Sequence, residues 1–194
     1  FAVYYYFKTI LQKNIRIYGV DLKKDVIDYC SSVAKKLSFV GLSFLHGDIN
    51  EVMLPTKPHM VMSLHACDIA TDIVLNKAVL TKAPVILSTP CCHHEVFHAM
   101  NSESLAFINR HSMLSQKLAD AATDALRCLW LEMHDYDVQT MELIDPEETP
   151  KNMMIRALKR KKARSSAEKQ SMQAQYDAAC ALIGCVPYLG RDNK

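Results

Sequence analysis

Two stretches decide how this chain is read: Ser63–Asp72, SLHACDIATD, and Val85–Glu95, VILSTPCCHHE. In each, an apolar run of strand length stops abruptly at a cluster of small, thiol and imidazole residues, and a helix-like pattern follows. In an open α/β sheet the ligand lies outside the carboxyl ends of the strands, so reactive side chains are expected where a strand stops and a helix starts. Both clusters occupy such places.

Working outward, Ile15–Asp21 (IRIYGVD) alternates apolar and polar residues and ends on an acid, as a strand ending at a ligand would. The period then changes. Val26, Ile27, Cys30, Val33, Ala34 and Leu37 recur at helical spacing, with lysines on the other face. Leu42–Asp48 (LSFLHGD) is strand-like and again ends on an acid. Pro55 and Pro58 break the chain before HMVMSLHA, a nearly continuous apolar run that reads as a central strand buried on both faces. A helix over about Ile69–Leu80 and a strand over Pro84–Ser88 follow. Such alternation implies parallel strands with crossover helices. Ser112 can cap a long helix through Leu131, with a buried stripe of Leu114, Leu118, Ala121, Ala122, Ala125 and Leu129. YDVQTMELID and NMMIRALKR, separated by the turn-rich PEETPK, read as an antiparallel pair at one sheet edge. The segment after Arg164 reads as a final helix to about Ile183.

Composition sets the class. The 194 residues are 49% hydrophobic with a mean hydropathy of −0.04, enough to bury a sizeable core as a single domain over 1–194 with a helical extension over 165–194. A net charge of +2 is too mild to declare a nucleic-acid binder, so that role must rest on local patches. No stretch has the length of a membrane span, and no membrane partner is expected. The seven cysteines include the neighbours Cys91 and Cys92, which could bridge each other only under strain; a reducing compartment, the cytoplasm, is the expectation. Phe1 opens the chain without methionine, on FAVYYYFKTILQKN, an amphipathic helix pattern. None of the five glycines forms a Gly-x-Gly loop, and the chain is expected to lack its true beginning.

The whole pattern resembles class I S-adenosylmethionine-dependent methyltransferases. Within them, LHACDIATD and TPCCHHE are similar to motifs of a subfamily that includes the eukaryotic tRNA 2′-O-ribose methyltransferases, and ETPKNMMIRA (Glu148–Ala157) is similar to the closing strand region of uncharacterised bacterial relatives. The resemblance implies an α/β, Rossmann-like doubly wound, mostly parallel sheet with an antiparallel edge hairpin, the first strand and its glycine loop missing. It implies S-adenosyl-L-methionine as cofactor and makes RNA, tRNA first, the favoured acceptor; no partner protein is inferable. Asp21, with Leu22 beside it, would take the cofactor's ribose hydroxyls, for which an ionised carboxylate is a natural acceptor. Asp48, with Ile49 and a permissive Gly47, would sit by the adenine. A strand-ending aspartate that bonds its own backbone is the plain alternative for each.

On the acceptor side, His65 is implied as proton acceptor and as a cofactor neighbour, with Asp68 orienting it or capping the helix from Ile69. A core histidine bonded to a carbonyl is the plain alternative for His65. Thr71 and Asp72 read as first-turn residues favoured by the helix dipole. Cys91, Cys92, His93 and His94 would shape the substrate mouth, the histidines in catalytic reach and the cysteines packing as small apolar groups. Four soft ligands in a row cannot all reach one ion from a regular strand or helix, so no metal is assigned; binding one would need Cys67 or His65 as well. KRKKAR (Lys159–Arg164) puts five cations in six residues, either a solvated face or, from Lys159 and Arg160 onward, a phosphate contact.

Two rival functions remain. His94-Glu95-x-x-His98 matches the zinc metallopeptidase pattern H-E-x-x-H, although Glu103 and His111 have no recognisable third-ligand spacing. A non-catalytic RNA-binding module would use the basic run alone.

Overall fold

The computed structural model describes residues 1–64, 66–145, 147–149 and 151–191. Contacts divide the chain into two compact units, residues 1–56 and 57–194, each with its own sheet. No helix among the described residues is long and apolar enough to cross a membrane.

In the first unit, α1 (Ala2–Tyr5) runs into a π-helical turn, Tyr6–Ile10, followed by β1 (Ile17–Asp21), α2 (Lys24–Lys36) and β2 (Leu42–His46). The strands are parallel, paired from Ile17 opposite Leu42 to Asp21 opposite His46, with α2 as the crossover. Their carboxyl ends therefore finish level. Tyr4, Ala34 and Leu42 form the core, with Ile15, Ile17, Phe39 and Phe44 against it. The Tyr4 hydroxyl also accepts a bond from the Gly41 N–H at 3.0 Å, which fixes the turn into β2. The buried stripe of α2 is narrower than its spacing suggests: Ile27 and Ala34 are buried, whereas Val26 and Leu37 face solvent.

The second unit contains β3 (Met60–Leu64), α3 (Ile69–Leu80), β4 (Val85–Thr89), α4 (His94–Ala99), α5 (Ala106–Asn109), α6 (Ser112–Met133), β5 (Tyr136–Glu142), β6 (Met153–Lys159) and α7 (Ser166–Ile183). Its strand order is β3-β4-β6-β5. β3 and β4 are parallel, Met60 opposite Val85 through Leu64 opposite Thr89, and β6 runs antiparallel to both β4 and β5. Parallel strands joined by crossover helices and closed by an antiparallel pair are the α/β arrangement expected of a Rossmann-like methyltransferase fold. The core joins Leu75 and Ala78 of α3, Ile86 of β4, Leu126 and Leu131 of α6, Tyr136, Ile155 and Ala157 of the hairpin, and Tyr176, Cys180 and Ile183 of α7. Pro146 and Pro150 of the hairpin link lie outside the described residues. Between them the chain turns, the Glu148 N–H donating to the Asp145 carbonyl at 3.0 Å.

Three local expectations are corrected. β3 is not buried on both faces: it ends the sheet of its unit, pairing only with β4 among the described residues, and Met60, Met62 and Leu64 are exposed while Ser63 points inward. Ser112 is the first residue of α6 rather than its cap; His111 holds the cap position, with no side-chain bond to the helix. The stripe that α6 buries is Ser115, Ala119, Thr123, Leu126 and Trp130, rotated from the predicted one, and Leu114, Ala121 and Ala125 face solvent. The rotation brings Asp124 and Arg127 inside. By contrast α7 follows its sequence closely, opened by a Ser165–Glu168 capping box and closed by Gly184 in the left-handed region.

Candidate active site

The first unit presents a carboxylate rim. Asp21 ends β1, and Asp48 lies two residues beyond the end of β2; the Gly47 N–H donates to the Asp21 carbonyl at 3.1 Å, tying the two strand ends together. Each side chain uses one oxygen to cap its own turn. Asp21 Oδ1 accepts from Lys23 N at 2.8 Å, and Asp48 Oδ1 accepts from Asn50 N at 2.8 Å. Among the described residues Oδ2 of each has no hydrogen-bond partner. Local turn-making and an outward acceptor therefore coexist in both. Gly47 has φ +150, and a Cβ there would stand 2.8 Å from Val52 Cγ2, so the backbone beside Asp48 lies too close for a side chain. Leu22 is exposed, its carbonyl bonded by His46 Nε2 at 3.0 Å, and Ile49 is half-buried. Two half-buried carboxylates with spare oxygens, aligned on one rim, fit a ligand with vicinal hydroxyls.

The second unit presents two turns side by side, because β3 and β4 are parallel and end in register at Leu64 and Thr89. His65 lies outside the described residues. Cys67 and Asp68 follow β3; Cys91 to His93 follow β4. Asp68 adopts φ +53, ψ −121, a conformation that costs about 1–3 kcal/mol for a non-glycine residue and persists only where its surroundings hold it. Here they do. The Asp68 carbonyl accepts from Thr71 N at 3.0 Å and Arg127 Nη2 at 3.1 Å, and its Oδ2 accepts from Glu95 N at 3.0 Å. Asp68 thus occupies the cap position of α3 but bonds the first turn of α4, clasping the two turns together. The Thr71 hydroxyl bonds back to the Ala66 carbonyl.

Between these turns three thiols meet. Cys67 Sγ is 3.6 Å from Cys91 Sγ and 3.5 Å from Cys92 Sγ, which are themselves 3.6 Å apart. No disulfide joins any of the seven cysteines. Burial and hydrogen bonding to its two neighbours push the Cys91 thiol up to about 12. The bond with Cys67, then burial, pushes Cys92 up as well.

The two histidines part company. His93 is 2% exposed, with Nδ1 2.9 Å from Asp120 and Nε2 3.0 Å from Asp124, at ion-pair distance though neither nitrogen is aligned for a hydrogen bond. It points into the protein rather than toward an acceptor. His94 is exposed on α4, its ring stacked near that of His98 with centroids 6.2 Å apart. Glu95, the middle residue of the H-E-x-x-H pattern, is occupied elsewhere: Oε1 pairs with Arg191 at 2.5 Å and Oε2 accepts from Tyr188 N at 3.1 Å. A metallopeptidase needs that glutamate turned to a water between the histidines.

Sequence reasoning missed the polar network beneath the turns. Arg127 Nε meets Asp72 at 2.6 Å, and Arg127 Nη1 meets Asp124 at 3.0 Å; all three side chains are almost fully buried. Asp72 is in the first turn of α3 as expected, but it is buried and paired there. Burial pushes its carboxyl up, against the pull of Arg127. Desolvation works downward on Arg127, but Asp72 and Asp124 outweigh it and hold the guanidinium charged. At the outer end Asp120 pairs with Lys151 and accepts from Gln116 Nε2 at 2.8 Å. Burial works upward there, but those bonds and the charge of His93 hold the Asp120 carboxyl below its ordinary value. The available signal was Asp120, Asp124 and Arg127 spaced along one helical face within an apolar pattern.

The basic run is largely spent on structure. Lys159 Nζ donates to the His134 carbonyl at 2.6 Å and lies 4.6 Å over the Tyr136 ring, and burial lowers its pKa. Arg160 pairs with Asp137 at 2.6 Å. Arg164 donates to the carbonyls of Glu132 at 2.6 Å and Tyr136 at 3.0 Å, satisfying the carboxyl end of α6. Lys161 and Lys162 are exposed.

A family model described as a methyltransferase domain matches residues 1–99, which include Asp21, Asp48 and both strand-end clusters. No curated protein matches the chain. Among solved structures, the 23S rRNA methyltransferase ErmE is similar over 84% of this chain, at 9% identity and a TM-score of 0.48; this chain spans 60% of it. A putative rRNA methylase from Clostridium thermocellum is similar over 74% of this chain and 72% of its own, at 14% identity and a TM-score of 0.41.

Proposed function

Because the chain belongs to the methyltransferase-domain family whose model spans 99 of its 194 residues, we propose that Asp21 and Asp48 hold its cofactor, S-adenosylmethionine, and that RNA is the acceptor. The observation that carries the cofactor assignment is the pair of carboxylates on one rim, each with an oxygen left over after capping its own turn. Asp21 would accept from the ribose hydroxyls and Asp48 would sit at the adenine edge, with Leu22 and Ile49 alongside. The cofactor supplies an electrophilic methyl group on a sulfonium. What the chain must supply is alignment of the acceptor atom and a place for any proton it loses. His65, Asp68 and His94 are the groups proposed for that side, with Cys91 and Cys92 beside them. His93 serves there as a positioning residue, through Asp120 and Asp124.

RNA as acceptor rests on the resemblance of LHACDIATD and TPCCHHE to tRNA 2′-O-ribose methyltransferase motifs. Phosphate contacts would fall to Lys161 and Lys162, because Lys159, Arg160 and Arg164 are engaged within the fold. Seven cysteines without a disulfide suit a reducing compartment such as the cytoplasm.

Calorimetric titration with S-adenosylmethionine, and with its demethylated product, tests the cofactor site. Asp21→Asn removes the charge but can still accept the turn bond from Lys23. Losing charge-assisted bonds worth about 1.5–3 kcal/mol should weaken binding roughly ten- to more than a hundredfold, with the melting curve unmoved. Equal affinity in Asp21→Asn would overturn the assignment. Transfer of labelled methyl groups into total tRNA, rRNA or protein then tests the acceptor, and label in protein alone would remove RNA.

A further inference from the structure

We propose that Cys67, Cys91 and Cys92 form a three-thiolate site for one thiophilic cation, zinc in the cell, with a fourth coordination position left to a ligand from outside the trio. The three ligand atoms all lie within 4.8 Å of one another, and their triangle is nearly equilateral, with sides of 3.6, 3.6 and 3.5 Å. Zinc–sulfur bonds of 2.3 Å at tetrahedral angles would set the sulfurs about 3.8 Å apart. Each sulfur therefore needs to move only a small fraction of an ångström. The separations are far from the roughly 2.05 Å of a disulfide.

By sequence, four soft ligands in a row cannot all reach one ion from a regular strand or helix, and a metal would need a partner such as Cys67. Cys91 and Cys92 belong to neither strand nor helix: the chain between Thr89 and His94 is irregular, and both sulfurs face Cys67 from the adjoining turn. Apolar packing explains the trio poorly, since Cys67 is exposed, unlike Cys180 in the core. An all-sulfur donor set selects soft or borderline ions and rejects magnesium and calcium. Preorganisation adds to the case. The Cys67 turn is held by Asp68 bonding Arg127 and Glu95, and the Cys91–Cys92 turn is held by the buried His93. On loading, three S–H bonds break, three metal–sulfur bonds form and three protons pass to solvent. Nothing in this requires the methyl donor.

The test is cobalt titration of the metal-stripped full chain under anaerobic, reducing conditions. A sulfur-to-cobalt charge-transfer band should saturate at one ion per chain and be abolished by an equivalent of zinc. Elemental analysis of the zinc-loaded chain should give the same stoichiometry. Cys67→Ser, at an exposed position that leaves the core intact, should abolish the band, as should Cys91→Ser. Cys128→Ser, on α6, should keep it. Absence of a band in the wild-type chain, or a band that survives in Cys67→Ser, overturns the site. So does oxidation of the trio to a disulfide in a chain that takes up no metal. Cofactor calorimetry on the same samples keeps failure of this site distinct from failure of the methyltransferase reading.

Discussion

Replacing Arg127 with Met is the perturbation that probes the second unit most directly. Its guanidinium contacts Asp72 at 2.6 Å, Asp124 at 3.0 Å and the Asp68 carbonyl at 3.1 Å, from a position 2% exposed. Methionine fills similar volume without the charge. Asp72 would then be stranded, since its other oxygen is buried with no hydrogen-bond partner among the described residues. Removing one member of a buried pair costs about 3–5 kcal/mol, mostly because the other charge stays uncompensated. For a chain of this size that is a fall in Tm of roughly 6–20 °C. The only tryptophan, Trp130, sits one helical turn away in the same core, so its fluorescence during urea unfolding reports this unit. The second substitution, Asp72→Asn in the Arg127→Met background, should recover part of the loss. The exposed pair Arg160–Asp137 is the internal control, and Asp137→Ala should cost no more than about 1 kcal/mol. If Arg127→Met costs as little as Asp137→Ala, or if Asp72→Asn adds to the damage instead of relieving it, the network does not hold the turns.

Stability should fall in two steps on acidification. Burial lowers the pKa of His134 in the fold, helped by Lys169 and Lys159 against the bond to the Trp130 carbonyl. Its contribution is therefore complete above the unfolded value near 6.5 and is lost as pH drops through the depressed folded value. His134→Gln should flatten this step, and an unchanged slope would refute the assignment. At Asp120 and Asp135 burial acts upward, but Lys151 and Gln116 at the first, and Lys169 with the Arg164 N–H at the second, hold both carboxyls below 3.8. Their contribution is present above that value and is lost as pH falls through the lowered ones, so the second step lies below it. Gly184→Ala tests the end of α7: φ is +76, and a Cβ would stand 2.1 Å from the Asn101 carbonyl oxygen. A loss well above about 1 kcal/mol in urea unfolding is expected, and a neutral result would mean that this turn is misplaced.

The elements were legible where local pattern and long-range packing agree. The helix Ile69–Leu80 emerged with its boundaries, and the two β-runs around PEETPK pair as their turn chemistry suggests. Asp21 was legible as a strand-ending acid for the same reason, and Asp48 as the acid of the turn just past β2. What could not be read was decided by distant partners. The face of α6 turns on whether Asp124 and Arg127 can be buried, which depends on Asp72 and His93, far away in sequence. Local periodicity offers the competing stripe through Leu114 and Ala125 just as readily. KRKKAR reads as surface charge because nothing nearby announces that the last carbonyls of α6 need donors. His93 and His94 look equivalent in a string, yet the turn into α4 sends the first inward and leaves the second in solvent.

The same divergence explains how exposed, reactive groups can be held at the strand ends at all. A turn carrying a left-handed Asp68, beside one carrying vicinal cysteines, has little apolar surface with which to fix its conformation. Its order must come from polar contacts, and those strengthen when water is excluded. Arg127, Asp124 and His93 provide that dry floor, and the turns they support carry Asp68, which clasps them together, and the exposed Cys67 and His94. Fold and site can therefore be separated experimentally. Cys67→Ser should leave the Trp130 unfolding curve in place while removing metal uptake. Arg127→Met should shift that curve and weaken cobalt binding together, because it loosens the floor on which the thiols converge. Cobalt affinity unchanged in Arg127→Met would mean that the thiols hold their positions without the network, whose support would then be incidental.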